Sequence, residues 1–289
     1  MKKKTKFNLL MITVSVFLAS VSLSQATDLT MGEMQVDKEN LAKQFGKRPY
    51  SPWADTSFPR QVFWGDTHLH TGLSVDAGLF GCRLGLEEAY RFARGEQVVA
   101  SSGQPVKLGR PLDWLVIADH SDGMGMIDDI KAGSPDITKY DQGARWAKGL
   151  KAGGQEAVNA SLDLITNFSQ NTIDPDLLAA YSPGSKTYSA VWDHVVDTAE
   201  AYNDPGKFTT IIGFEWTSLV KGNNLHRNVL FRDNRDRAKQ VVPYTTKEPI
   251  GSTDPLKLYE WMENYETKTG GSVLAIAHNG NLSNGMMFP

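Results

Sequence analysis

Short runs of apolar residues, each leading into polar residues, recur along the chain from residue 61 onwards. They cover residues 61–64, 112–118, 208–214, 229–231 and 273–277. Runs rich in β-branched and aromatic residues and bounded by Gly or Pro are typical of buried strands in a parallel sheet. The pattern therefore predicts several parallel strands that carry polar side chains at or just beyond their ends.

Segments with helical periodicity separate these predicted strands. They cover residues 86–94, 188–202 and 255–265, and the first stops at Gly95. The second has an apolar stripe made of Val191, Val195, Ala199 and Tyr202. Strands alternating with helices predict an α/β fold, specifically a β/α barrel, in which the active site forms at the C-terminal mouth from several strands.

Residues 122–187 interrupt this alternation. They are rich in Gly, Asp, Ser and Asn, with weak helical patterns near residues 144–150 and 157–168. We interpret them as a helical insertion. Long excursions of this kind either cover an active site or lie on the surface without a role in it, and the sequence leaves both alternatives open.

The first residues have the three-part pattern of a secretory signal peptide. Four lysines within residues 2–6 precede an uncharged apolar stretch over residues 7–23, and small residues at Ser24 and Ala26 follow. We therefore expect a signal peptide over residues 1–26 and a periplasmic or secreted protein. Residues 27–60, polar and punctuated by proline, predict a surface arm, and residues 61–289 form the predicted main domain.

The overall composition narrows the class of partner. The 289 residues carry a net charge of −3, which gives no electrostatic reason to expect nucleic acid as the main partner. Cys82 is the single cysteine, so no disulfide can form within the chain. We expect Cys82 to be a small buried residue rather than a ligand or a nucleophile, because no motif for a neighbouring base accompanies it.

Five of the six histidines lie at or just after the ends of predicted strands. They are His68, His70, His120, His226 and His278. Imidazoles combined with carboxylates are the ligands that Zn²⁺, Mn²⁺ and Fe ions take in proteins. In the first pair the rings point to the same side, because alternate residues of a strand share a face. The sixth, His194, falls within a predicted helix, and we expect a structural or surface role for it.

Four motifs resemble those of the PHP (polymerase and histidinol phosphatase) superfamily, in chain order. They are GDTHLHTGLSVDAG, LDWLVIADHSD, IIGFEWTS…NNLHRNVLF and LAIAHNGN. The closest resemblance is to a bacterial family of secreted PHP-like proteins classed as a domain of unknown function. The resemblance implies a distorted (β/α)₇ barrel, two or three divalent metal ions, and hydrolysis of phosphate esters.

The same resemblance implies a ligand set, residue by residue. Glu215 matches the carboxylate that bridges two metals, and Asp119 matches a ligand or a partner of one. The metal ligands implied are His68, His70, Asp76, His120, Glu215, His226 and His278. PHP proteins close the site with Asp-x-His on the final strand, and no such motif follows His278. We therefore expect this chain to be an N-terminal fragment with an incomplete barrel.

Three further features have two interpretations each. Asp66 either orients a ligand imidazole or caps a strand end. Arg227 either clamps a phosphate through its guanidinium or makes a surface ion pair. The loop over residues 278–285 either presents amides to a substrate or makes a tight turn.

Together these features predict an exported, metal-dependent hydrolase acting on a small-molecule phosphate ester, with Glu215, Asp119 and Arg227 as the candidate catalytic residues. Two alternatives stay open. One is an amidohydrolase-like enzyme that cuts C–N or ester bonds, although that superfamily commonly uses a bridging lysine and none follows a predicted strand here. The other is a metal-binding exported protein without catalysis.

Overall fold

The computed structural model describes residues 61–287. The predicted signal peptide and surface arm lie outside these residues. The strands are β1 Gly65–Leu69, β2 Val98–Val99, β3 Pro105–Val106, β4 Trp114–Ile117, β5 Thr209–Ile211, β6 Gly213–Trp216, β7 Arg227–Phe231 and β8 Val273–Ala277. The α-helices are α1 Val75–Leu79, α2 Leu86–Ala93, α3 Met126–Ala132, α4 Pro135–Thr138, α5 Asp141–Ala152, α6 Gly154–Gln170, α7 Pro175–Ala180, α8 Lys186–Tyr202, α9 Arg235–Ala238 and α10 Pro255–Thr269. Short 3₁₀ turns cover Val220–Gly222 and Gly280–Leu282.

The first main sheet is parallel, as the sequence predicts. Its strand order is β1-β4-β5, with Gly65 opposite Trp114 and Trp114 opposite Thr209. A side chain at position 65 would meet the indole of Trp114, since a Cβ there would lie 2.1 Å from the ring. Glycine is thus the residue that lets these two strands pair closely.

The predicted position of the first strand was wrong. We expected a strand at residues 61–64, but these apolar side chains are exposed, with Val62 at 69% and Trp64 at 58%. The strand begins at Gly65, where the alternating burial of β1 matches a strand with one covered face. Consequently His68 lies within the strand and His70 directly after it.

The second main sheet, β6-β7-β8, is antiparallel, which corrects the prediction of parallel strands throughout. About ten residues connect β6 to β7, and a connection this short joins antiparallel neighbours, whereas a parallel pair needs a crossover of a dozen or more. β6 and β8 therefore run in one direction and β7 in the other.

A crossing of the chain between the two sheets brings them together. The predicted strand over residues 208–214 is divided at Ile212 into β5, which pairs with β4, and β6, which pairs with β7. Gly213 sits at the crossing, where a Cβ would lie 2.6 Å from Val116 and 2.9 Å from the Val229 carbonyl oxygen. A parallel bridge between His120 and Glu215 continues the contact. Within residues 61–287 the strands do not close into a barrel, so the fold is a mixed α/β structure.

The three predicted helices are confirmed as α2, α8 and α10. Ser185 caps α8 by accepting a hydrogen bond from Tyr188 N, and Asp254 caps α10 in the same way from Leu256 N. The stripe of α8 packs into a core with the two sheets, where Val195 and Ala199 are buried. None of the described helices combines the length and apolar character needed to cross a membrane.

The predicted insertion is helical and has an apolar core of its own. It contains α3 to α7, and the two weak helical patterns correspond to α5 and α6. Ile127, Trp146, Leu164 and Leu177 are fully or almost fully buried together in this second core. The insertion is therefore a packed helical unit.

Candidate metal centre

Glu215 is the centre of the site. Its side chain is fully buried, and four imidazole nitrogens lie within 3.1 Å of its carboxylate oxygens. Oε2 is 2.9 Å from His68 Nε2 and 2.8 Å from His70 Nε2. Oε1 is 2.6 Å from His226 Nδ1 and 3.1 Å from His278 Nε2. The five predicted histidines thus converge on one carboxylate, because His120 Nδ1 is also 3.6 Å from Oε1.

Two groups of three side chains offer ligand atoms close enough to hold an ion. The first is His68, Glu215 and His278, and the second is His70, Asp76 and His120; within each group the ligand atoms lie within 4.8 Å of one another. Asp76 is 3.0 Å from His70 Nδ1 and 3.3 Å from His120 Nε2. Since Glu215 also touches His70, it reaches both groups.

The direction of the strands explains this convergence. His68, His70 and His278 lie at the C-terminal ends of β1 and β8. His226 precedes β7, and because β7 runs against β6 and β8, its N-terminal end meets their C-terminal ends. We predicted His226 from its place beside an apolar run, but the reversed strand is what brings it to this edge.

The electrostatics of the cluster are strongly coupled. Burial on its own raises a carboxyl pKa, but hydrogen bonds with His226, His278, His68 and His70 hold the pKa of Glu215 far below its usual range. Burial likewise lowers an imidazole pKa, yet contacts with Asp76 and Glu215 raise the pKa of His70 to about 10. At His226 burial prevails, and its pKa is lowered.

The donor set suits divalent cations better than a hydrogen-bond network. Four imidazole nitrogens within 3.1 Å already match the roughly four lone-pair sites of the Glu215 carboxylate, and His120 Nδ1 stands 3.6 Å away. In addition, His226 Nε2 and His278 Nδ1 are buried without a hydrogen-bond partner in the described part of the chain. Imidazole and carboxylate ligands in two adjoining groups are compatible with two ions of the Zn²⁺, Mn²⁺ or Fe type.

The comparisons with known proteins give one match. The family model described as "Protein of unknown function (DUF3604)" matches residues 57–289. The chain belongs to the DUF3604 family. Neither a curated protein nor a solved structure matches it. All seven predicted metal ligands of this DUF3604 chain fall within the matched residues.

Asp119 supports the cluster without touching its imidazoles. It is buried, and its two carboxylate oxygens accept hydrogen bonds from Thr71 N at 2.6 Å and Thr71 Oγ1 at 2.7 Å. Burial raises its pKa to about 6, although the hydrogen bonds from Thr71 oppose the shift. Of the two roles considered for Asp119, the geometry favours a partner that fixes the backbone after His70.

Arg227 does not reach the cluster, which corrects both interpretations of it. The residue is 6% exposed, so it makes no surface ion pair. Its guanidinium donates to the carbonyl oxygens of Leu225 and His226 and, through Nε, to Tyr259 Oη at 3.1 Å. Arg227 is opposite Trp216 in the sheet, on the face away from Glu215, because successive strand residues alternate.

The remaining candidates lie outside the cluster. Asp66 Oδ1 accepts a hydrogen bond from the backbone N of His68 at 2.7 Å, which fits the cap interpretation. His194 is exposed on α8, as predicted, and Cys82 is half-buried. In the 278–285 loop Asn279 and Asn284 adopt left-handed backbone conformations, with φ of 56° and 51°. That geometry belongs to a tight turn.

Two site residues of this DUF3604 protein were missed from the sequence. Thr217 Oγ1 is hydrogen-bonded to His120 Nδ1. Asn228 is opposite Glu215 in the sheet; its amide donates to the Thr67 carbonyl oxygen at 2.9 Å, and its own oxygen is buried and unpaired among the described residues. Both lie two positions from a predicted ligand, so the alternation of strand faces would have identified them.

The helical insertion borders the cluster. A cavity of about 200 Å³ is bounded by Leu164, Ile165 and Phe168 of α6 on one side and by His120 and His226 on the other. Lys247 contacts the C-terminal end of α6, where its Nζ donates a hydrogen bond to the Phe168 carbonyl oxygen at 3.1 Å. Of the two alternatives for the insertion, this placement favours a wall of the site.

Proposed function

We propose that the protein is an exported, metal-dependent hydrolase of phosphate esters, with two divalent ions held by the groups around Glu215. The observation that carries the proposal is the buried Glu215 carboxylate in contact with both groups of ligands. Bound ions would lower the pKa of a coordinated water and neutralise charge on the phosphoryl oxygens.

The chain's own residues have distinct tasks in this proposal. Glu215 would contribute negative charge to both groups of ligands and so offset the repulsion between two cations. Asp76 would hold an ion together with His70 and His120, the other members of its group. Thr217 orients His120 from its other nitrogen. Asp119 positions the turn at Thr71.

The resemblance to PHP proteins extends the proposal to the fold. The two main sheets would be parts of a distorted (β/α)₇ barrel whose mouth carries the cluster. Support comes from the common direction of β1, β4, β5 and β6, which brings their C-terminal ends to one edge.

We propose export through the signal sequence in residues 1–26. N-terminal sequencing of the periplasmic fraction should find a start near Thr27, and an intact Met1 in the cytoplasm would contradict this proposal.

The test of hydrolysis compares metal-loaded and chelated protein. Bis(4-nitrophenyl) phosphate and 4-nitrophenyl phosphate should be turned over with Mn²⁺ or Zn²⁺ and not after chelation. Hydrolysis of 4-nitroacetanilide or 4-nitrophenyl acetate instead would support the amidohydrolase-like alternative. Stoichiometric metal without turnover of any of the four would support a non-catalytic metal-binding protein.

A further inference from the structure

The wall of the cavity beside the cluster is apolar. Its apolar lining consists of Val75, Leu164, Ile165, Phe168 and Leu219. These side chains come from three separate segments: α1, α6 of the insertion, and the turn before β7. The space of about 200 Å³ is open to solvent on one side, and apolar side chains that line such a pocket favour an apolar group of a ligand.

The opposite wall is the catalytic cluster. Asp76, Asp122, His120 and His226 line the cavity together with Thr217. Imidazole and carboxylate side chains thus face the apolar wall across the cavity. A ligand in the cavity would therefore have an apolar part against α6 and a polar part against the histidines.

Charge around the cavity restricts the ligand further. Within the described residues no lysine or arginine lines it. Lys247 is nearby, with its Nζ 4.0 Å from the centroid of the Phe168 ring, and it donates a hydrogen bond to the Phe168 carbonyl oxygen. A polyanionic group against the apolar wall would find no cationic side chain, and any cation in reach would come from the ions proposed at the cluster. An uncharged apolar group would find five apolar side chains.

We propose that the cavity binds an apolar, phenyl-sized group of the substrate, so that the enzyme prefers esters bearing such a group. A cavity of about 150 Å³ lined by apolar side chains accommodates benzene, so this one is large enough for a phenyl ring. This inference rests on the proposed ester hydrolysis, because it assigns the non-reacting part of the same substrate. Phe168, Ile165 and Leu219 are then specificity-determining residues.

The first test keeps the leaving group constant and varies the other ester group. Benzyl 4-nitrophenyl phosphate and methyl 4-nitrophenyl phosphate release the same phenolate. We expect kcat/KM for the benzyl ester to exceed that for the methyl ester by about tenfold or more, since apolar pockets discriminate on this scale. Phe168→Ala and Leu219→Ala should each reduce the ratio several-fold. Leu162→Ala, on α6 but 52% exposed and away from the cavity, should leave it unchanged.

The second test needs neither metal nor turnover. The ¹⁹F line of 4-fluorobenzyl alcohol should broaden with the wild-type protein and with Leu162→Ala, and much less with Phe168→Ala. If neither diester is hydrolysed, the proposed function fails, and this binding measurement alone decides the inference. A diester ratio that the Phe168 and Leu219 variants leave unchanged, or equal broadening in wild type and Phe168→Ala, overturns the inference.

Discussion

The imidazole rings of His68 and His278 lie with their centroids 4.0 Å apart, although they come from the first and last described strands. The Nε2 atoms of both rings face Glu215, and the two histidines belong with Glu215 to the first candidate ion group. The contact therefore joins β1 to β8 at the edge where the other ligands meet, and the loss of either ring should affect one ion more than the other.

Replacing His278 by Ala should remove about one equivalent of metal. The first ion group would keep only His68 and Glu215, which is fewer than the three protein ligands of ordinary zinc sites. The second group would keep all its members. Metal analysis by mass spectrometry checks this, with His194→Ala as the matched control because that histidine is exposed on α8. Equal metal content in both variants would exclude His278 as a ligand.

Replacing Glu215 by Gln should abolish hydrolysis and weaken binding of the second ion while the fold persists. Glutamine has a similar shape but lacks the charge that offsets repulsion between two cations. Activity on a chromogenic phosphodiester, metal content and the thermal midpoint would be measured together. Glu260→Gln is the control, since Glu260 is exposed and pairs with Lys257. Near-normal metal content and activity in Glu215→Gln would show that Glu215 has only a structural role.

Much of the ligand set follows from the sequence because polar residues directly after apolar runs share a sheet edge. The position of the first strand was harder to predict, because the run at residues 62–64 is as apolar as a strand although its side chains are exposed. The direction of each strand could not be predicted from the sequence either, because a short apolar run such as β7 has the same local pattern in both directions. That is why His226 joins the cluster from the start of a strand.

Asp119 lies where a partner of a ligand would, which is one of the two roles considered for it, and Arg227 lies away from the cluster; both placements have one common cause. Asp119 and Arg227 are sequence neighbours of His120 and His226, and neighbouring residues in extended backbone point to opposite faces. Asp119 accordingly turns to Thr71, and Arg227 to Tyr259. A residue directly beside a ligand in an extended segment therefore points away from the cluster. A residue two positions from a ligand points towards it, and this rule would have selected Thr217 and Asn228.

Asp233 should give the protein a pH-dependent part of its stability. Its carboxylate accepts hydrogen bonds from Ser272 N at 2.6 Å and Tyr265 Oη at 2.9 Å and pairs with Arg237 at 2.8 Å. Burial would raise its pKa, but these bonds outweigh burial and lower it. Because the folded pKa is below the unfolded value, the contribution is complete above about pH 4 and is lost as the pH falls further.

Asp233→Asn should therefore lower the free energy of unfolding by about 1–3 kcal/mol at pH 7. The difference between variant and wild type should shrink as the pH falls below about 4. Urea unfolding at several pH values measures both effects. Asp136→Asn, at an 80% exposed side chain, should show neither. A difference that is constant with pH would mean that the carboxylate charge makes no contribution.

Lys247 should hold the C-terminal end of α6 against the site. Its ammonium donates to the Phe168 carbonyl oxygen and lies 4.0 Å from the Phe168 ring, while the neighbouring Thr246 N donates to Asp122 at 3.0 Å. Lys247→Met keeps an apolar stem but removes a charged hydrogen bond worth roughly 1.5–3 kcal/mol and a cation–π contact. Local opening of α6 should become easier by a corresponding amount.

Hydrogen exchange reports this opening directly, because protection reflects the free energy of the local unfolding reaction. In Lys247→Met the amides of the last turn of α6 should exchange faster by about tenfold or more, on the scale of tenfold for each 1.4 kcal/mol. Amides in α8 and α10 should be unaffected, since they pack in the other core. Lys139→Met, which removes an exposed lysine elsewhere in the insertion, should leave α6 protected. Unchanged exchange at the end of α6 would show that the apolar contacts of Leu164 and its neighbours hold the helix without Lys247.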